Sequence, residues 1–157
     1  GDAQGSECAG VAEAGMSLQE RLLHLVDEDT EAFNRIMAAF GMPKNTPEEK
    51  AARSEAIQKA TLFAAEVPLE TMKASFEVFD VCRKMVETGN PNSVSDAGVG
   101  ALAARAAVLG AGMNVKINAG SLKDREKAEA LINEANQLIA KANSVEAEIT
   151  KLVEAKL

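Results

Sequence analysis

The sequence predicts an all-α protein: a single-domain antiparallel bundle of about five helices over residues 1–157, with a dimer as the assembled form. Three observations predict it. Aromatic residues make up 3% of the chain, with five Phe and neither Trp nor Tyr, so strands have little to be built from. Apolar residues recur at the spacing of one helix face. Sharp helix start and stop signals punctuate that pattern.

The elements follow in order. Residues 1–16, "GDAQGSECAGVAEAGM", have weak periodicity and several Gly, and read as a loose or incomplete start. The first strong helix covers about Ser17 to Phe40 and stops at Gly41, with Pro43 just beyond. "NTPEEKAARSEAIQKA" opens the second: Thr46 is the N-cap, Pro47 takes the first helical position and Glu49 completes a capping box. Val67-Pro68 predicts a break, because Pro removes a backbone donor and disfavours helix in the residue before it. A third helix then runs from Pro68 to about Thr88 and ends at Gly89. The polar turn "GNPNSVSD" supplies Ser95 and Asp96 as an N-cap pair for the fourth helix, about Ser95 to Met113. That helix is nearly all small residues. Gly is costly inside a helix, so the pattern predicts a central element against which other backbones pack closely. "NVKINAGSLKD" ends it, and Ser121 with Asp124 restarts the last helix. There Ala128, Ala135, Ala142 and Ile149 alternate with Leu131, Leu138, Val145 and Leu152, a seam for close antiparallel packing within the chain or across a dimer.

Charge and composition exclude several function classes. Acids outnumber bases 24 to 17, a net charge of −7, so no basic stripe exists for nucleic acid, although a local cationic pocket for a small anion fits the sequence. Fully apolar runs fall short of the roughly 20 residues of a membrane span, and no secretory signal opens the chain, so the expectation is no membrane and a cytoplasmic protein. Cys8 and Cys82 are too few for a disulfide framework. A single histidine, His24, excludes a multi-histidine metal site and reads as a surface residue; Cys82 reads as a small core residue. Neither a phosphate loop nor a metal-ligand pattern occurs.

One candidate for chemistry emerges from helical phase. In "LLHLVDEDTEAFNRIM", residues 22–37, Leu22, Leu25, Val26, Phe33 and Ile36 form a stripe that Phe40 extends, at about 100° per residue. Asp29 falls in the middle of it, while Asp27 and Glu31 point away and Glu28 flanks. A carboxylate directed into an apolar face must be paired, hydrogen-bonded or protonated, and desolvation favours the neutral form that a general acid needs. The competing reading is a buried structural ion pair. Asp96, Arg105, Asn114 and Asn118 are the other polar residues in apolar surroundings. Asn114 and Asn118 share a face if the helix continues, and buried amides can read a heterocycle edge or cap the helix end.

The stretches "LVDEDTEAFNRIMAAFGMPKNTPEEKAAR", "VPLE" and "GNPNSVSDAGVGALAARAAVLGAGMNVKIN" resemble the formiminotransferase-cyclodeaminase C-terminal family, over about Leu22 to Asp124. The resemblance implies an all-α fold, a homodimer or higher homo-oligomer with active sites near the subunit interface, and a tetrahydrofolate derivative as small-molecule substrate, with neither metal nor redox cofactor. Formiminotransferase is an implied partner and histidine degradation an implied context. The family's catalytic carboxylate matches Asp29. The segments around Lys44, Arg53, Asn90, Ser95, Asp96, Asn114 and Asn118 match as folate-binding candidates, with Lys44 or Arg53 facing the glutamate carboxylates. The implied activity is cyclisation of 5-formimidoyltetrahydrofolate to 5,10-methenyltetrahydrofolate with release of ammonia. Alternatives are methenyltetrahydrofolate cyclohydrolase and an inactive folate-binding or structural dimer. Residues 1–16 do not match the family's Pro-Gly-Gly-Gly-Ser segment, so the expectation is a folate site lacking that part.

Overall fold

A computed structural model describes residues 2–157. Among them the chain forms four α-helices, α1 (Asp2–Gly41), α2 (Pro47–Thr88), α3 (Val94–Ala119) and α4 (Arg125–Glu154), with a 3-10 turn at Pro91–Ser93 and no strand. The all-α expectation holds, but with four helices where five are predicted. Helix α2 is the hub: α1, α3 and α4 all pack on it, and among the described residues the α1 backbone does not come close to that of α3 or α4. Sequential helices run antiparallel through short turns, as the pairing of Arg21 with Glu70 and of Cys82 with Gly100 requires.

The predicted break at Pro68 does not occur, and the reason is chemical. Proline has no N–H to give the carbonyl four residues back, which is that of Ala64. The side-chain amide of Asn118, in the last turn of α3, donates to that carbonyl oxygen at 2.7 Å. A neighbouring helix thus satisfies the orphaned acceptor, and α2 continues through Pro68 for 42 residues. Both Val67 and Pro68 are buried.

Other boundaries also move. Helix α1 begins at Asp2 and takes in residues 2–16 of the stretch predicted to be loose, residue 1 lying outside the described residues. Helix α3 begins at Val94, so Ser95 and Asp96 lie within its first turn instead of capping it; the N-cap is Ser93, which makes no side-chain cap bond. It also runs past Met113 to Ala119, because Val115 and Ala119 are fully buried and carry the packing face onward. The predicted capping box is present: Thr46 Oγ1 accepts from Glu49 N, and Glu49 Oε2 accepts from Thr46 N, both at 3.2 Å. Asp124 caps α4 through Lys127 N at 3.1 Å.

Close packing explains the small residues of α3. A Cβ placed on Gly112 would stand 2.9 Å from Ile139 Cδ1 and 3.1 Å from Met72 Cε, and one on Gly98 would stand 3.3 Å from Val153. By length and mean hydropathy alone the span 91–119 would suffice to cross a bilayer. Its Ala97, Ala101, Ala104 and Val108 are instead buried against α2 and α4. The α4 seam packs within the chain: Ala128, Ala135, Ala142 and Ile149 are 0% exposed, with Leu131, Leu138, Val145 and Leu152 half-buried beside them.

Candidate active site

The apolar stripe of α1 is wider than the surface α2 covers. Leu25, Ala32 and Ala39 are buried, with Leu22 and Ile36 half-buried against α2. Val26, Phe33 and Phe40 remain 63%, 62% and 53% exposed. Asp29 lies on this uncovered half and is itself exposed. Its expected burial is therefore not met within one chain: helical phase points Asp29 correctly along an apolar face, but α2 is too narrow to enclose it.

Because α1 and α3 both lie on α2 with no close backbone approach between them, they leave a groove of about 400 Å³. Leu22, Val26 and Asp29 form the α1 wall, Pro68 and Thr71 the floor, and Gly110 and Asn114 part of the α3 wall. The structure thus brings Asp29 and Asn114 to one concavity, a carboxylate facing an amide across apolar walls. The remaining acids of the cluster are differently placed. Glu28 lies 3.4 Å from the exposed His24, Glu31 bonds Arg35 at 2.9 Å, and Asp27 is exposed. Only one acid of the four lines the groove.

The other predicted site residues lie elsewhere. Asn118 is committed to Ala64, a role that neither the ligand nor the capping reading anticipates. Lys44 and Arg53 line a second pocket of about 330 Å³ at the start of α2, with Lys50, Ser54, Gln58 and Lys123. Arg53 donates to Phe40 O through Nε and an Nη at 3.3 and 3.1 Å, and lies 5.5 Å over the Phe40 ring. Asn90 accepts from Asn92 N at 2.9 Å and holds the 3-10 turn. Ser95 and Asp96 are exposed on the first turn of α3, and none of these three lines either pocket. Arg105 Nε donates to Asn143 Oδ1 at 2.7 Å. Cys82 is buried beneath Gly100, and burial pushes its thiol above the ordinary cysteine range, as suits a core residue. Sequence reasoning missed Thr71 and Gly110; the helix-breaking signal at Pro68 and the glycine inside α3 were the available hints.

A family model described as formiminotransferase-cyclodeaminase matches residues 3–137. The chain belongs to the formiminotransferase-cyclodeaminase family. Within the family, it is 41% identical over 147 residues to a methenyltetrahydrofolate cyclohydrolase of Methylorubrum extorquens, covering 94% of this chain and 71% of that protein. It is 32% identical over 136 residues to a formimidoyltransferase-cyclodeaminase of Rattus norvegicus, covering 87% of this chain but 25% of that longer protein. The crystal structure of a formiminotetrahydrofolate cyclodeaminase from Thermotoga maritima superposes with a TM-score of 0.77 at 25% identity, over 91% of this chain and 67% of that one. Two of these relatives, the cyclohydrolase and the crystallised cyclodeaminase, carry tetrahydrofolate in their names, and the formiminotransferase-cyclodeaminase family match spans all four helices up to the middle of α4.

Proposed function

We propose that this chain acts on the one-carbon bridge between N5 and N10 of tetrahydrofolate, with Asp29 as the proton shuttle and 5,10-methenyltetrahydrofolate as the substrate hydrolysed. The observation that carries it is the groove in which Asp29 and Asn114 converge. The 41% identity with a cyclohydrolase favours hydrolysis over the cyclodeaminase reaction. Water attacks the cationic methenyl carbon, and Asp29 takes its proton. The C–N5 bond of the tetrahedral adduct then breaks as N5 receives that proton, and the adduct's hydroxyl gives its own proton to solvent as the carbonyl forms, leaving 10-formyltetrahydrofolate and one released proton. The protein supplies one carboxylate twice, first as base and then as acid. Asn114, carrying both donor and acceptor, suits a pterin edge.

The second reading, ammonia-releasing cyclisation of 5-formimidoyltetrahydrofolate, draws on the relatives named cyclodeaminases. It uses the same carboxylate, with N10 as nucleophile and ammonia as leaving group.

Burial of Asp29 requires something outside this chain, and a second copy supplies it in this reading. Leu23, Val26, Phe33, Met37 and Phe40 on α1 and Val99, Leu102, Met113 and Ile117 on α3 are all more than half exposed. They follow helical repeats along the two helices that flank the groove. A homodimer formed through these faces would exclude water from both grooves at once.

The two reactions separate by absorbance. Purified protein given 5,10-methenyltetrahydrofolate consumes the methenyl chromophore faster than buffer; given the formimidoyl compound it forms that chromophore only if the second reading holds. Absence of both activities in a folded, dimeric preparation would overturn the proposal.

A further inference from the structure

Two polar groups in the groove have a part in the proposed hydrolysis, and a third has none yet. Among the described residues ten line the groove, and Asp29, Thr71 and Asn114 alone carry polar side-chain atoms. Asp29 takes a proton and Asn114 suits the pterin edge, which leaves the Thr71 hydroxyl on the floor. Pro68 and Thr71 are three residues apart and share a face of α2. The helix reaches Thr71 unbroken because Asn118 satisfies the Ala64 carbonyl.

The hydroxyl is also oriented. Thr71 Oγ1 donates its proton to Val67 O at 3.2 Å, so the lone pairs of the oxygen are what remains for a partner. Ser75, one turn further along α2, differs: its Oγ is buried, without a hydrogen-bond partner among the described residues, and outside the groove wall.

Helix geometry brings Thr71 and Asp29 toward one another. Gly15 borders Val81, and Arg35 lies 4.2 Å over the Phe63 ring. These two contacts bracket Asp29 and set it about level with Pro68 on the antiparallel α2, roughly one turn from Thr71. Cα–Cβ bonds tilt toward the start of their own helix. On antiparallel helices that tilt leans Asp29 toward the level of Thr71, and Thr71 toward the level of Asp29. An attacking water carries two protons. Asp29 accepts one, and in a groove closed to bulk water the other also needs an acceptor.

We propose that Thr71 is a positioning residue for hydrolysis: its Oγ1 accepts a hydrogen bond from the attacking water while Asp29 takes that water's other proton. This role presupposes the hydrolysis proposed above. The water oxygen bonds to the methenyl carbon, one proton passes to Asp29, and the second stays on the adduct's hydroxyl, still hydrogen-bonded to Thr71. Asp29 then gives its proton to N5 as the C–N5 bond breaks, and the hydroxyl proton leaves to solvent as the carbonyl forms. Thr71 itself gains and loses no proton. Cyclisation of the formimidoyl compound uses N10 as nucleophile, so a water-holding hydroxyl serves hydrolysis in particular.

Steady-state hydrolysis of 5,10-methenyltetrahydrofolate by the wild-type chain, Thr71→Val, Thr71→Ser and Ser75→Ala tests this role, with circular dichroism confirming that each variant folds. Thr71→Val keeps the branched shape and removes the oxygen. It should lower kcat about tenfold, the effect of one lost hydrogen bond, with KM changed by less than about twofold. Thr71→Ser restores the hydroxyl and should recover most of that loss. Ser75→Ala removes a hydroxyl outside the groove and should stay within about twofold of the wild-type kcat. Wild-type kcat in Thr71→Val, an equal loss in Thr71→Ser or Ser75→Ala, or a loss confined to KM would overturn the role of Thr71 and leave hydrolysis through Asp29 standing. A folded, dimeric wild-type chain without hydrolase activity would instead overturn the hydrolytic reading, and the role of Thr71 with it.

Discussion

Asn118 shows how much a single side chain can decide. Its amide replaces the hydrogen bond that Pro68 cannot make, so Asn118→Ala leaves the carbonyl of the buried Ala64 unsatisfied. The expected cost is about 1–3 kcal/mol in denaturant unfolding. In a Pro68→Ala background residue 68 regains its N–H, and the same substitution should then cost much less. A double-mutant cycle reads the difference; equal costs in both backgrounds would refute this role. The two thiols offer a second residue-scale check. Exposed Cys8 should react with a thiol reagent in a fast phase. Cys82, buried and with its thiol pushed up, should react only slowly at neutral pH, and faster as pH rises or the protein unfolds. At this scale the direction of Asp29 was legible, because phase within one helix needs no knowledge of the rest. Its exposure was not legible, since that depends on which elements cover the face. The bond from Asn118 to Ala64 joins residues 54 apart, and no local pattern announces such a partner.

Among the elements, the capping box at Thr46 and the α4 seam could be read directly, since both are defined by spacing within a few turns. The division of α2 into two helices was the main misreading: it applied the correct local cost of proline without the tertiary bond that offsets it. The glycines of α3 separate two uses of small size. Gly112 faces the tips of Ile139 and Met72, which must shift to admit a Cβ, so Gly112→Ala should be less stable than Gly110→Ala, forfeiting the roughly 1 kcal/mol that the better helix propensity of Ala would otherwise add. Gly110 meets nothing within 4 Å and borders the groove, so Gly110→Ala should be neutral or stabilising by up to about 1 kcal/mol. Gly110→Leu should fold, yet obstruct the groove and suppress turnover. Thermal unfolding and an activity assay on the three variants distinguish a packing glycine from a clearance glycine.

For the molecule as a whole, the architecture leaves α1 and α3 straddling α2 with apolar residues outward and the Asp29 carboxylate between them. The proposed dimer makes sedimentation informative: the wild-type chain should sediment as a dimer, and Phe33→Glu should shift it toward monomer and lower activity together. The helical class and the groove acid were thus within reach of the sequence, whereas the convergence of Asp29 and Asn114 depended on three helices meeting. The proton-shuttle role of Asp29 is tested most directly by comparing methenyltetrahydrofolate turnover by the wild-type chain and by Asp29→Asn, a substitution that keeps size and removes the base. The prediction is a drop in kcat of about 10²–10⁴-fold, with helicity and dimer retained. An Asp29→Asn protein that turns over at the wild-type rate would contradict it.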